Sequence, residues 1–282
     1  MKKVKIAGRE VYPIGLGTSN MGDNADKFEQ EVEAIRVGLD NGVQVIDTAE
    51  MYGDGNAERL VAHAIKPYYR ENLFLISKAL PSNASEKRLP ISLEQSLKRL
   101  NTDYLDLYLL HWKGNIPINE TIEALEKARI QGKIRSWGVS NLDVDDLEKI
   151  INLPDGIKCA TNQVRYNLGD RGIEFDLVPM MNNLEMPLIA YSPVARGDRF
   201  GANLTKQKVL KGIAEKHQSD IFQILLAWCI RNGQTIAIPQ SRNTTHVIEN
   251  VKAAEIQLTQ QDLDQLDSIN PKPSMKQPLA LW

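Results

Sequence analysis

The chain has 282 residues, of which 42% are hydrophobic and 25% are charged, and its formal net charge at pH 7 is −2. This composition provides enough apolar material for a large buried core and excludes a disordered chain. Acidic and basic residues are interspersed along the sequence, so there is no long-range basic field, and nucleic acid is not an expected partner.

The amino terminus does not have the pattern of a targeting segment. Residues 1–6 begin with charge but are not followed by an apolar run of signal-peptide length. No later stretch approaches the ~18 uninterrupted apolar residues of a membrane span. We therefore expect a cytoplasmic protein with no membrane partner. Cys159 and Cys229, both flanked by apolar residues, are predicted to be small core residues of a reduced protein.

Short β-rich runs then alternate with segments of helical periodicity, without an intervening linker. Predicted helices include residues 29–41, 93–100, 121–131, 144–151 and 244–253. Eight such βα units favour a single α/β domain, a (β/α)8 TIM barrel formed by residues 1–282, over two doubly wound halves. The eight predicted strands are residues 14–17, 43–48, 73–78, 104–111, 136–140, 160–164, 188–191 and 235–239.

Three segments depart from the regular barrel pattern. Residues 4–12 predict a small amino-terminal β-hairpin, with Gly8 and Arg9 between its two short runs, which could plug one end of the barrel. Residues 204–217 and 219–232 predict an extra helical segment before the last strand. Residues 271–282 contain three prolines and end in an apolar run, so we expect this tail to dock near the active site.

The catalytic groups of such a barrel gather at the carboxyl ends of its strands. A single polar residue in that position is usually a turn or cap residue, but here nearly every predicted strand provides one. An aspartate, a lysine, a tyrosine and a histidine that meet can hold a phenol beside an ammonium group and prepare it to protonate a carbonyl oxygen. In strand order, the residues at these positions are Asp47 with Tyr52, Lys78, His111, Ser140 with Asn141, Gln163, Tyr191, and Gln240 with Ser241.

From about residue 14 to the carboxyl terminus, the sequence closely resembles the aldo-keto reductase superfamily. The resemblance is strongest to bacterial-type NAD(P)H-dependent aldehyde and ketone reductases, which are often monomeric. It implies an NADP-dependent oxidoreductase that reduces aldehydes and ketones to alcohols. The segments that carry the resemblance are residues 42–53 (GVQVIDTAEMYG), 105–112 (LDLYLLHW), 138–141 (GVSN), 162–164 (NQV) and 191–193 (YSP).

The resemblance implies a catalytic tetrad of Asp47, Tyr52, Lys78 and His111. A free phenol has a pKa of ~10 and is a poor acid at neutral pH, but the ammonium group of Lys78 would lower that pKa. Asp47 would keep Lys78 charged and oriented. His111 would align the carbonyl so that its oxygen meets Tyr52, while a reduced nicotinamide delivers hydride to the carbon.

No Gly-x-Gly-x-x-Gly motif follows a predicted strand, so a Rossmann cofactor site is not expected. The resemblance implies instead that the nicotinamide is held by hydrogen-bonding groups of the barrel and stacks on Tyr191. The pyrophosphate would cross the loop from Ser192 to Phe200, where Arg196 and Arg199 are candidate charge partners. The expected cofactor-binding residues are Thr18, Ser140, Asn141, Gln163, Tyr191, Ser192, Pro193, Arg196, Ile238, Gln240, Ser241, Arg242, His246, Glu249 and Asn250.

The expected adenosine end of this site departs from that of many NADPH-specific members. Gln240 stands where they often carry lysine, and His246 where they often carry arginine. Ser241 lies at the amino end of a predicted helix, where an anion is favoured. Because Arg242 could place its charge on the 2′-phosphate, we favour NADPH as the cofactor, with NADH as the alternative.

The expected substrate-binding residues are Met21, Tyr52, His111, Trp112 and Trp282. The loop over residues 113–119 is short and leaves the mouth of the site open, which favours small carbonyl compounds such as methylglyoxal or keto-sugars. Two alternatives are a lyase or aldolase barrel in which Lys78 forms a Schiff base, and a regulatory protein that binds the cofactor without turnover. The first leaves Ser140, Asn141, Gln163 and Tyr191 without a role.

Overall fold

The computed structural model describes residues 3–195 and 203–281. Within these ranges the strands are β1 (Val4–Ile6), β2 (Arg9–Val11), β3 (Leu16–Gly17), β4 (Val45–Asp47), β5 (Phe74–Ala79), β6 (Leu105–Leu110), β7 (Ile134–Ser140), β8 (Asn162–Arg165), β9 (Leu188–Tyr191) and β10 (Thr235–Ala237). The helices are α1 (Phe28–Asp40), α2 (Asn56–Ile65), α3 (Leu89–Leu100), α4 (Ile118–Ile130), α5 (Val144–Ile151), α6 (Leu177–Asn183), α7 (Lys208–Lys216), α8 (Ile221–Cys229), α9 (Thr244–Lys252) and α10 (Gln260–Ile269).

Strands β3 to β10 form one parallel sheet in chain order, and its two ends meet. Ile14 forms a parallel bridge with Ala237, and the Gly15 amide donates to the Ala237 carbonyl over 2.8 Å. These contacts close the sheet into a barrel, which confirms the predicted (β/α)8 fold. The first strand of the barrel is shorter than residues 14–17 because Ile14 pairs only through this isolated bridge.

The predicted amino-terminal hairpin is confirmed, but its turn lies one residue earlier than expected. Val4 pairs with Val11 and Ile6 with Arg9, so the turn is Ala7-Gly8 and Arg9 belongs to β2. Both turn residues have positive φ, 48° and 76°, as a two-residue turn between twisted antiparallel strands requires. The inward residues of the hairpin pack with side chains of the barrel interior, which are Val45, Phe74, Ile76, Leu107, Leu109, Ile189, Ile236 and Ile238.

The extra helical segment before the last strand is also confirmed, since α7 and α8 both lie between β9 and β10. Helix α8 is almost wholly apolar and is buried from Ile224 to Cys229. Cys159 and Cys229 are both buried and unpaired. No helix in the described part of the chain combines the length and hydrophobicity needed to cross a bilayer.

The carboxyl-terminal tail contacts the loops that follow β7 and β8. The Lys276 ammonium lies 3.3 Å from Asp143 and 3.4 Å from Asp176, the residues that cap the amino ends of α5 and α6. Arg165, at the end of β8, donates to the Leu281 carbonyl over 2.6 Å. Trp282 lies outside the described residues, so docking of residues 271–282 near the active site stays a prediction.

The hairpin plug should contribute to stability without affecting catalysis. Ile6 is buried, and truncation of a buried isoleucine to alanine typically costs about 2 to 5 kcal/mol. We expect Ile6→Ala to lower the free energy of unfolding in urea by about this amount, with little change in kcat, because the plug lies opposite the carboxyl ends of the strands. Lys5→Ala, on the exposed face of the same strand, is the control. Equal stability of the two variants would contradict a stabilising role for the hairpin plug.

Candidate active site

A cavity of about 560 Å³ opens at the carboxyl ends of the barrel strands. Twelve of the residues predicted from the sequence line it, and they come from most of the strands. These are Thr18, Asp47, Tyr52, His111, Ser140, Asn141, Gln163, Tyr191, Ser192, Pro193, Ile238 and Gln240. The lining also includes residues that were not predicted, among them Ser19, Asn20 and Met51. Each of these is a chain neighbour of a predicted residue, and adjacency is the signal that could have identified them.

Lys78, at the end of β5, is completely buried behind this cavity. Its ammonium group donates to Asp47 Oδ1 over 2.6 Å, to the Thr48 carbonyl over 2.9 Å and to Tyr52 Oη over 3.2 Å. These three acceptors use the three protons of the ammonium group. The structure therefore brings three of the four proposed catalytic residues into direct contact.

Asp47 is only 2% exposed, and neighbouring donors satisfy its oxygens. Gln163 Nε2 donates to Asp47 Oδ2 over 2.7 Å, and Thr18 Oγ1 donates to the Asp47 carbonyl over 2.9 Å. Burial by itself would lower the pKa of Lys78, but the charge of Asp47 and the hydrogen bonds to Asp47 and Tyr52 raise this pKa above its ordinary value. Lys78 is therefore cationic at neutral pH.

His111 completes the group from the end of β6. Its ring lies 5.7 Å from the Tyr52 ring, centroid to centroid, and the two planes are nearly perpendicular. The residue is 4% exposed. Burial, with a smaller effect from the charge of Lys78, lowers the pKa of His111 from 6.5 to about 2. The imidazole is therefore neutral, so it can form a directional hydrogen bond without adding a second positive charge beside Lys78.

A second hydrogen-bond network lies along the carboxyl ends of β7, β8 and β9. Asn141, which has a φ of 59°, donates from Nδ2 to the His111 carbonyl over 3.1 Å and to Ser140 Oγ over 3.0 Å. Tyr191 Oη donates to Asn141 Oδ1 over 2.8 Å. The network fixes the orientation of the Asn141 amide. Gln163 Oε1 accepts no hydrogen bond from the described residues.

Two proposed substrate-binding residues, Met21 and Trp112, are not among the residues that line the described cavity. Met21 is 3% exposed and packs in the core beside Ala34 and Ile35. It follows a tight turn in which its amide donates to the Thr18 carbonyl, and its place in the substrate wall stays a prediction. Trp112 stacks obliquely on His111, with the ring centroids 4.9 Å apart. Trp282 lies outside the described residues, as do Arg196 and Arg199, the proposed pyrophosphate partners.

The proposed adenosine end lies where the first and last loops of the barrel meet. Arg242 donates from Nε to the buried carboxylate of Glu31 on α1 and from Nη2 to the Asn20 carbonyl. Gln240 Oε1 accepts from Ser19 Oγ over 3.0 Å. Sequence reasoning missed Glu31 because nothing in its helical position indicates a partner so distant in the chain.

The remaining proposed adenosine contacts lie on the loop before α9 and on the helix itself. His246 is exposed on its first turn, Glu249 and Asn250 are half-buried, and Ser241 and Asn250 line one small cavity. Asn243 caps the helix by accepting from the amides of Thr245 and His246.

Comparisons with known proteins give one consistent family. Residues 13–271 match the Aldo/keto reductase family. Methylglyoxal reductase YeaE of Escherichia coli (strain K12) is 46% identical over 281 residues, which cover 99% of each chain. Glyoxal reductase of Bacillus subtilis (strain 168) is 34% identical over 265 residues, 93% of this chain and 90% of the relative.

Solved structures agree with this result. A crystal structure of an aldo/keto reductase from Klebsiella pneumoniae in complex with NADP and acetate is 44% identical and matches with a TM-score of 0.98, covering 100% of this chain and 99% of the other. A second structure of an aldo-keto reductase from Klebsiella pneumoniae, in complex with NADPH, gives the same identity, TM-score and coverage.

The neutral state of His111 predicts a specific pH dependence of stability. Because its folded-state pKa, about 2, lies below its ordinary value of 6.5, the unfolded chain takes up a proton that the folded chain does not. The resulting stability is present above pH 6.5 and is lost as the pH falls below it. Between pH 7 and pH 5 we expect the wild type to lose about 2 kcal/mol more than His111→Gln. Urea unfolding at both pH values measures this, and equal losses would contradict it.

Proposed function

This chain belongs to the aldo/keto reductase family, and from that premise we propose that it reduces small aldehydes and ketones to alcohols with Tyr52 as the general acid. The observation that carries the proposal is the buried line of hydrogen bonds from Asp47 through the Lys78 ammonium to the Tyr52 hydroxyl, at the wall of the cavity. A carbonyl oxygen that enters the cavity beside Tyr52 and His111 would meet a phenol whose conjugate base is already stabilised.

The proton in this reaction comes from the Tyr52 hydroxyl. A positive charge 3.2 Å from the phenol oxygen stabilises the phenolate that remains after the transfer. Asp47 keeps that charge in place, because an isolated ammonium in a fully buried position would tend to lose its proton. The neutral His111 imidazole adds a directional hydrogen bond that orients the substrate oxygen.

The polar lining of the cavity fits a nicotinamide cofactor. The carboxamide of nicotinamide has both donors and acceptors, and Ser140, Asn141 and Gln163 offer complementary groups whose orientations are fixed by their own hydrogen bonds. Tyr191 provides an aromatic ring at the same edge. When bound, the reduced nicotinamide supplies the hydride for the carbonyl carbon. Two solved relatives carry NADP or NADPH, which supports NADPH as the cofactor of this chain.

We propose 2-oxoaldehydes such as methylglyoxal as the substrate class, with keto-sugars as the second choice. The cavity of about 560 Å³ must hold the nicotinamide end of the cofactor as well as the substrate, which favours a small carbonyl compound. Two relatives are reductases of methylglyoxal and glyoxal. We also propose that residues 1–282 act as a single-domain cytoplasmic monomer without nucleic-acid or membrane partners, which the interspersed charges of the sequence support.

The environment of Lys78 argues against a Schiff-base lyase or aldolase. A Schiff-base lysine needs a neutral amine that reaches the substrate. Lys78 is fully buried, its three protons are engaged, and its pKa is raised by Asp47 and Tyr52. A regulatory protein that binds the cofactor without turnover would not reduce carbonyl compounds. Measurement of NADPH oxidation with methylglyoxal therefore distinguishes it from a reductase.

Removal of the Tyr52 hydroxyl should abolish most turnover while cofactor binding persists. We expect Tyr52→Phe to lower kcat for methylglyoxal by about 10²-fold or more, because general acid catalysis contributes effects of this size. NADPH oxidation measures kcat, and quenching of protein fluorescence measures cofactor affinity. Tyr69→Phe, at an exposed position, is the matched control. Turnover that does not change in Tyr52→Phe would remove the phenol from the mechanism.

The position of Arg242 predicts a change in cofactor preference. Its Nε and Nη2 are held by Glu31 and Asn20, which leaves Nη1 without a partner among the described residues. We expect Arg242→Ala to raise the KM for NADPH about tenfold, as loss of one charged hydrogen bond would, with little effect on the KM for NADH. An equal rise for both cofactors would indicate a structural role for Arg242, and no rise would exclude the assignment.

A further inference from the structure

We propose that two buried carboxylates, Glu50 and Glu58, are positioning residues for Tyr52, because they hold the segment that carries it against β5 and α3. The inference rests on the proposed role of Tyr52 as the general acid. Neither carboxylate lines the cavity, so both would act through the position of the phenol.

The backbone after Tyr52 needs external support. Three consecutive residues have positive φ, namely Gly53 at 56°, Asp54 at 50° and Gly55 at 82°. Aspartate tolerates the left-handed conformation better than most non-glycine residues, but mainly as an isolated residue, and a run of three such residues persists only where the surroundings determine it. A Cβ atom on Gly53 would lie 1.8 Å from Asp23 Oδ1, so the turn is also tightly packed. The position of Tyr52 is therefore not determined by local preferences alone.

Glu50 holds the segment on the amino-terminal side of Tyr52. Its Oε1 accepts from the Leu80 amide over 2.6 Å and from Asn83 Nδ2 over 3.0 Å. Its Oε2 accepts from Ser92 Oγ on α3 over 2.5 Å. Leu80 directly follows β5 and is two residues beyond Lys78, so Glu50 connects the loop that carries the phenol to the end of the strand that carries the ammonium. This connection fixes the 3.2 Å distance between Lys78 Nζ and Tyr52 Oη.

Glu58 holds the segment on the carboxyl-terminal side, from the first turn of α2. The residue is completely buried. Its Oε1 accepts from Ser77 Oγ over 2.6 Å, and its Oε2 accepts from Arg99 Nε over 2.5 Å. Ser77 directly precedes Lys78 on β5, and the Arg99 side chain packs against Gly55, where an added Cβ would meet it at 2.4 Å. Glu58 therefore fixes the end of the turn to the same strand that carries the ammonium.

One face of α3 donates hydrogen bonds to both carboxylates. Ser92, Ser96 and Arg99 follow each other at intervals of four and three residues, which places them on the same side of the helix. Arg99 Nη2 also donates to Ser96 Oγ over 3.2 Å. Carboxylates cost free energy when they are buried, and apolar residues of similar size would fill this space at less cost. Their directed hydrogen bonds are better explained by the need for a defined geometry than by stability.

The test replaces each carboxylate by its amide and follows both catalysis and the phenol itself. We expect Glu50→Gln to lower kcat about tenfold or more, because a displacement near 1 Å costs up to about 10²-fold, and to leave the KM for NADPH unchanged. We expect a smaller fall in kcat for Glu58→Gln. The near-ultraviolet difference spectrum between each protein and its Tyr52→Phe counterpart reports the titration of the Tyr52 phenol. In Glu50→Gln this titration should move to higher pH, because the phenol lies farther from Lys78.

The matched control is Glu126→Gln on α4. Glu126 is also a buried carboxylate with several donors, since it accepts from Trp137 Nε1 over 2.6 Å and from Arg129 and Lys158, but it is not connected to the Tyr52 segment. We expect this variant to lose stability without a change in kcat or in the phenol titration. Ser92→Ala removes one donor to Glu50 and keeps the carboxylate, so it provides a milder variant if Glu50→Gln does not fold.

The double variant Glu50→Gln/Tyr52→Phe tests whether the two residues act together. We expect its residual kcat to equal that of Tyr52→Phe, because Glu50 would have no general acid left to position. A further loss in the double variant, or a Glu50→Gln protein that behaves like Glu126→Gln, would overturn the proposal. If wild-type turnover proves independent of Tyr52, the proposed function fails, while the phenol titration still decides whether Glu50 and Glu58 position the side chain.

Discussion

The buried ion pair of Lys78 with Asp47 is the constraint on which the rest of the site depends. Two charges placed where water has almost no access are tolerated only if each is paired and hydrogen-bonded. The Thr48 carbonyl and the Tyr52 hydroxyl accept the other two hydrogen bonds of the Lys78 ammonium. Gln163 donates to the second carboxylate oxygen of Asp47. The groups that satisfy this pair include the proposed acid and one of the proposed nicotinamide contacts, so stability and chemistry share the same hydrogen bonds.

The barrel separates this polar region from the apolar filling of its opposite end. The hairpin fills the amino-terminal end with apolar side chains, whereas the carboxyl-terminal end holds the cavity. Parallel strands place their carboxyl ends together, so residues far apart in the sequence become neighbours. Support for Tyr52 comes from outside the cavity, through α3.

Much of this arrangement could be predicted because strand ends and helical periods are local signals. These local signals predicted the positions of Asp47, Lys78 and His111 at strand ends. Long-range partners could not be predicted in this way: Arg242 pairs with Glu31, 211 residues away, and no local pattern indicates it. Met21 was expected in an apolar substrate wall with Trp112 and the tail, whereas its side chain lies in the core after a tight turn that the sequence pattern did not indicate. The hairpin turn was misplaced by one residue because Ala7, and not only glycine, adopts positive φ.

Closure of the barrel through Ile14 and Ala237 has a consequence for how the chain is made. During synthesis, the edge of β3 cannot find its final partner until Ala237 has left the ribosome, so an incomplete sheet must exist with an exposed edge. Asp47, Tyr52, Lys78 and His111 all belong to the first half of the chain, and their strands β4, β5 and β6 are adjacent. The four proposed catalytic residues can therefore come together on a nascent chain well before the last strand closes the barrel.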